Sequence, residues 1–299
     1  MIELWIPLAI GAYLLFALNG VADKFLLTSA VKKPVVYAFF IGITGPLTLV
    51  MAPFGLKMLS LNNLLIALIG GACFPIALYF NYSAIQKTSI SRVLPILGGF
   101  VPIYTLALAY FILGERLNSY QLVAFIFLVI GAIFISFRKE QGHWHSKALG
   151  NAMVAAMFFA LSFTLEKYIF EVSDSFVTGL VWTRIGFFLA SISFLIPRAN
   201  RRAIFNAPKD VSNPNKLLYY GARLSGGAAG LMQNYAIRLG SVTLINALQG
   251  TQYLFLLALT SLLSLKFPKI LHEKVTTQTI TQKIIAIVII SFGLVFLAL

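Results

Sequence analysis

The chain is short of charge, and shortest of acids. Of 299 residues only 11% are charged, and nine Asp and Glu stand against 23 Lys and Arg. A soluble domain carries about 25% charged and about 45–50% apolar residues, whereas here the hydrophobic share is 59%. A soluble fold of this length would have too little polar surface to offer water. Cysteine occurs once, at Cys73, which excludes an intrachain disulfide and a thiolate metal cluster. The three histidines are His143, His145 and His272. His143-Trp144-His145 with Glu140 could hold a metal weakly, but no acid-rich partner lies nearby in sequence. The expectation is therefore no metal, no cofactor and no catalytic constellation of a membrane-embedded enzyme. Alternating segments of about ten residues are also lacking, which excludes a membrane barrel.

What is there instead is a series of long apolar runs. Ten spans fall at 4–22, 34–53, 62–82, 92–113, 119–137, 148–169, 175–196, 216–238, 241–265 and 281–298. Each is close to the ~20 residues that carry a helix across ~30 Å of hydrocarbon. The fold class expected is all-α integral membrane, with ten transmembrane helices and no soluble domain. The first span lacks a basic leader and a small-residue cleavage site, so it is expected to be a retained helix. The longest connector, 197–215, carries Arg198, Arg201, Arg202, Pro208 and Pro214 and reads as a surface segment.

The net charge of +14 would suggest nucleic acid in a soluble protein. Here the bases lie in loops beside spans, so the partner expected is the anionic lipid surface and not nucleic acid. Loops after the odd-numbered spans hold seventeen Lys and Arg, and those after the even-numbered spans four: Lys57, Arg116, Lys167 and Arg238. Basic loops stay in the cytoplasm, which places both termini outside a cell (inner) membrane.

The chain also says one thing twice. Ala84-Ile85 aligns with Ala236-Ile237, Ser89 with Ser241, and Glu115-Arg116 with Glu273-Lys274. The end of span 1, Phe16 to Phe25, aligns without a gap with Phe159 to Tyr168, so that Asp23-Lys24 recurs as Glu166-Lys167. Five spans per copy is an odd number, and the charge bias flips between copies. Both point to an inverted repeat, with copies at 1–140 and 147–299.

Several polar residues interrupt the apolar runs. Asp23-Lys24 and Glu166-Lys167 read either as anchor pairs at the headgroup level or as gating or coupling groups. Gly42, Gly45 and Pro46 suggest a bend in span 2. Pro95, Gly98, Gly99 and Pro102 weaken span 4, the place where a discontinuous helix would mark a transport site. Its counterpart, span 9, offers Asn246, Gln249, Gln252 and Tyr253, which are expensive facing lipid. Tyr79 and Asn81 end span 3, and Gln233 and Asn234 end span 8; these read equally as a cavity lining or as interhelical hydrogen bonding. Arg184 lies deep in span 7 beside Trp182 and could grip a carboxylate in bidentate fashion. Spans 5 and 10, with Gly131 and Gly293, read as packing helices and as a dimer face should the protein not be a monomer.

These elements together resemble the EamA-type module of the drug/metabolite transporter superfamily. The residues that carry the resemblance are Phe16 to Phe25, the helix with Pro95 and Pro102, the Gly114-Glu115-Arg116-Leu117 turn, and the helix from Gln121 past Gly131, with a recurrence over Phe159 to Leu299. The resemblance implies ten helices in two inverted halves with a central cavity, and transport, often export, of amino acids, metabolites or toxic compounds. Two departures stand out. An insertion with Phe267-Pro268-Lys269 displaces the second Glu-Lys element. The glutamate that small multidrug members carry halfway along their first helix is absent, with Tyr13 to Leu15 in its place. The expected function is a secondary transporter, exporting small metabolites and best suited to amino acids. A multidrug exporter and a lipid-linked substrate flippase are the alternatives, and an enzyme is not expected. The path is expected to be lined by Asn19, Tyr79, Asn81, Tyr104, Trp182, Arg184, Gln233, Asn234, Asn246, Gln249, Gln252 and Tyr253.

Overall fold

A computed structural model describes residues 3–26, 33–88, 90–136, 146–206, 216–266 and 277–299. Among them there is no strand. Twelve α-helices run in order: α1 Trp5–Leu26, α2 Pro34–Gly42, α3 Leu61–Lys87, α4 Ile90–Leu113, α5 Ser119–Ser136, α6 Ser146–Ser173, α7 Phe176–Ser193, α8 Arg198–Asn206, α9 Lys216–Leu239, α10 Val242–Ala247, α11 Gln249–Lys266 and α12 Thr277–Ala298. A 3-10 helix, Gly45–Phe54, follows α2. Each of the ten expected spans falls on a helix or on two adjoining ones. Among the described residues, seven helical segments are long and apolar enough to cross a membrane, and Trp5–Val21 and Ile284–Ala298 are shorter apolar helices. The chain is a multi-pass, all-helical membrane protein.

Local chemistry sets the helix starts. Ser60, Ser175 and Ser241 each accept a hydrogen bond from a first-turn N–H of α3, α7 and α10. Asn118 and Gln121 cap α5 reciprocally, each side chain accepting from the other's N–H at 2.8 and 3.0 Å.

The breaks fall partly where expected. Span 2 splits between α2 and the 3-10 helix, at the Gly42 to Pro46 stretch. Span 4 does not break: α4 runs through Pro95 and Pro102 as one helix. The interruption lies in span 9 instead, at Leu248, between α10 and α11. There the Leu248 carbonyl accepts both the N–H and the hydroxyl of Thr251, at 2.9 and 2.7 Å, which tightens the turn without proline. Helix α6 extends past its expected end to Ser173, so Lys167 is a buried helical residue and not a loop base.

The chain divides into two compact units, which cut across the 1–140 and 147–299 division. The first comprises Met1–Ala30, Arg116–Arg138 and Ser212–Leu299. In it α1 packs on α9 and α11, and α5 packs on α12. Gly131 meets Ile290 and Gly293 meets Leu128, and Gln282 Nε2 donates to the Phe134 carbonyl at 2.6 Å. These two glycines are thus spent inside the chain.

The second unit comprises Val31–Glu115 and Lys139–Val211. In it α6 packs on α3 and α4, and α7 packs on α3 and on the 3-10 helix. The α3–α7 contact is backbone on backbone. A Cβ on Gly71 would overlap the Thr183 carbonyl, and one on Gly186 would overlap Leu68. Small residues let membrane helices approach this closely. Helix α8 lies against α2, with Ile204 buried among Val35, Val36 and Phe39 while Arg201 and Arg202 stay exposed.

Candidate functional site

Each unit holds its own buried polar group. In the first unit it is built on α1, α9, α10 and α11. Tyr13, midway along α1, is buried and donates its hydroxyl to the Ile245 carbonyl at 2.8 Å. Gln233 Nε2 on α9 donates to the Tyr13 oxygen at 3.4 Å. Tyr13 was not among the expected lining residues. The signal was a single phenol in the middle of an apolar helix. Gln233, Asn234, Asn246 and Tyr253 are buried, while Asn19, Gln249 and Gln252 are partly so. Asn19 lies against α9, where a Cβ on Gly226 would stand 2.9 Å from its Nδ2.

Four buried polar atoms of this group make no hydrogen bond among the described residues: Asn19 Oδ1, Asn234 Nδ2, Thr243 Oγ1 and Tyr253 Oη. In a water-soluble protein most such atoms find partners. At membrane depth an unmatched one costs several kcal/mol on the order of its transfer from water. The set includes oxygen acceptors, an amide donor and hydroxyls that serve as either.

In the second unit the group is acidic and basic. Glu166 on α6 is 5% exposed. Its Oε1 lies 4.0 Å from Arg184 Nη2 and 3.3 Å from the Thr183 hydroxyl. That hydroxyl also reaches the Gly179 carbonyl at 2.8 Å, and it has one proton to give. Arg184 sits over the Phe187 ring, 5.4 Å from its centre. Pro75 has no N–H, so it leaves the Gly71 carbonyl without its helical donor. Gly71, Phe74, Ser162, Glu166, Thr183 and Arg184 line a cavity of about 10 Å³, roughly the space of one water. Lys167, next to Glu166 in sequence, bonds Glu171 at 3.4 Å.

The remaining expected residues scatter. Trp182 latches a loop: its indole N–H donates to the Lys57 carbonyl at 3.0 Å. Tyr104 leans on Phe100, with ring centres 5.6 Å apart. Asn81 carries a buried Oδ1 without a hydrogen bond among the described residues. Tyr79 is exposed and tilts on Phe194 at 6.0 Å. The side chains of Asp23 and Lys24 lie outside the described residues, as do His143, His145 and His272.

Residues 3–137 match the EamA-like transporter family. No curated protein sequence matches the chain. Among solved structures, a crystal structure of a protein superposes with a TM-score of 0.72 at 14% identity, covering 100% of this chain and 99% of its own. At that identity the likeness speaks for the fold alone.

Proposed function

We propose that the chain, whose residues 3–137 match the EamA-like transporter family, is a secondary transporter exporting small polar metabolites, amino acids foremost. The observation that carries this reading is the set of unmatched polar atoms on α1, α9, α10 and α11. Asn19, Asn234, Thr243 and Tyr253 offer acceptors and donors with no protein partner among the described residues. A zwitterion asks for both kinds at once. A hydrophobic drug or a lipid tail asks for neither.

A second element of the proposal concerns Glu166 and Arg184. Their 4.0 Å separation is at the outer edge of an ion pair. A solute carboxylate reaching Arg184 would compete with Glu166 for the same guanidinium, which couples occupancy to the α6–α7 arrangement. Gln249 and Gln252, partly buried on α11, belong to the first unit's proposed lining.

The inverted repeat is part of the same reading. Helix α1 packs on α9 and α11, and α6 packs on α3 and α4. The first helix of each sequence half thus uses the third and fourth spans of the other half. Asn19 and Ser162 occupy aligned positions, and each lies against a glycine of its partner helix. Asn19 meets Gly226, and Ser162 donates to the Gly70 carbonyl at 2.8 Å. This reciprocity supports two related five-span copies working by alternating access.

The test is Tyr253→Phe in proteoliposomes loaded with radiolabelled amino acids. Its hydroxyl bonds nothing among the described residues, so folding stability should stay within about 0.5 kcal/mol. Flux should fall about tenfold, the worth of one hydrogen bond to solute. Unchanged amino-acid flux in this variant and in Asn234→Ala would remove the group from the path.

A further inference from the structure

A further cavity lies at one end of the second unit. It measures about 360 Å³ and is bounded by the start of α2, the end of α3, the start of α6 and the first turn of α8. Its charged lining is of one sign. Lys33 and Lys87 border it, no acidic residue does, and neither lysine forms an ion pair among the described residues. The neutral polar lining includes the amides of Gln86, Asn151 and Asn200. Val35 lines it too, in the first turn of a helix that Lys33 leaves without a side-chain cap.

We propose that this cavity is an anion site that recognises a phosphate ester. The donor set fits that chemistry. Two ammonium groups supply charge, amide N–H groups supply direction, and the uncapped start of α2 adds the positive end of a helix dipole. The volume exceeds a bare phosphate and falls in the range of about 300–1,000 Å³ that small-molecule sites use. The position fits as well. Arg198, Arg201 and Arg202 on α8 are exposed beside it, and Ile204 anchors that helix to α2. Basic pockets of this kind, between membrane helices and next to a basic surface helix, suit the head group of an anionic lipid. A free phosphate has the same oxygens and would use the same donors.

Tyr79, one of the residues expected along the path, borders this cavity, but neither lysine belongs to the proposed path. The test therefore reads binding and not flux. The full chain, purified in a neutral detergent, is titrated with phosphatidylglycerol, with phosphatidylcholine and with inorganic phosphate. Phosphatidylglycerol should bind more tightly than phosphatidylcholine. The K33Q/K87Q variant should weaken it about tenfold or more, since each lysine near an anionic surface contributes about one tenfold step or slightly less. K33R/K87R should retain binding, which separates loss of charge from loss of fold. Competition by millimolar inorganic phosphate identifies a free anion as the occupant, and absence of competition identifies the lipid. Equal affinity in the native chain and K33Q/K87Q, or no binding of either phosphate probe to the native chain, overturns the proposal.

Discussion

Tyr13 and Tyr253 are both buried tyrosines of the first unit, and their hydroxyls do different work. The first gives its proton to the Ile245 carbonyl and receives Gln233, while the second meets no hydrogen-bond partner among the described residues. Removing the Tyr13 hydroxyl orphans a carbonyl and an amide. Tyr13→Phe should cost about 1–3 kcal/mol, read as a lowered unfolding temperature in detergent, whereas Tyr253→Phe should leave that temperature in place. Glu166 follows the same logic with charge. Arg184→Ala strands a carboxylate that is 5% exposed, a change worth about 3 kcal/mol in a buried pair. Adding Glu166→Gln to Arg184→Ala should recover most of the loss, and a double-mutant cycle measures it. In the sequence the polar residues of spans 8 and 9 announced themselves, because amides are costly in an apolar run. The pairing did not. Glu166 stands next to Lys167, yet adjacent helical residues face different ways, and the acid finds Arg184 while the lysine finds Glu171. Trp182 looked like a path residue for its aromatic ring, and nothing in the sequence reveals the Lys57 carbonyl that holds its N–H.

Among the elements, hydrophobic length was the legible signal and local breaks were not. The ten spans follow from runs of apolar residues, and each falls on a helix or on two adjoining ones, seven of these segments being long and apolar enough to cross a membrane among the described residues. Prolines misled at span 4. A membrane helix absorbs Pro95 and Pro102 when its neighbours cover the freed backbone, so α4 stays whole. The break at Leu248 rests on a threonine turning back on its own helix, which has no composition signature. Helix α8 was also unread: a nine-residue amphipathic stretch inside a basic connector is too short to cross a membrane. Two predictions belong at this scale. Gly71→Val drives a side chain into the Thr183 carbonyl. Overpacking costs about 1–3 kcal/mol in ordinary cores, and with backbone on both sides the loss should reach the upper end, seen as a lower melting temperature. Ile204→Ala removes the one fully buried anchor of α8. Tryptic cleavage after Arg201 and Arg202 should quicken on the order of tenfold, as expected from losing ~2 kcal/mol of apolar burial.

For the whole molecule, charge placement carries an expectation of direction across the membrane. With Cys73→Ser as background, Arg202→Cys should react with an impermeant maleimide only after permeabilisation. Glu171→Cys should react in intact cells. The reverse labelling would invert the orientation expected from the basic loops. The composition of the compact units was not legible, because nothing in a single helix states its partner. Helix α1 carries no mark that assigns it to α9 and α11.

That exchange has a consequence for synthesis. By the time α9 leaves the ribosome at Leu239, more than two hundred residues have been added since Leu26 closed α1. At about 5–20 residues per second the first helix stays in the bilayer for on the order of ten seconds or more before its mates arrive. An N-terminal fragment released early would therefore present an orphaned span to the cell's quality control, while late co-production of the missing half should rescue it.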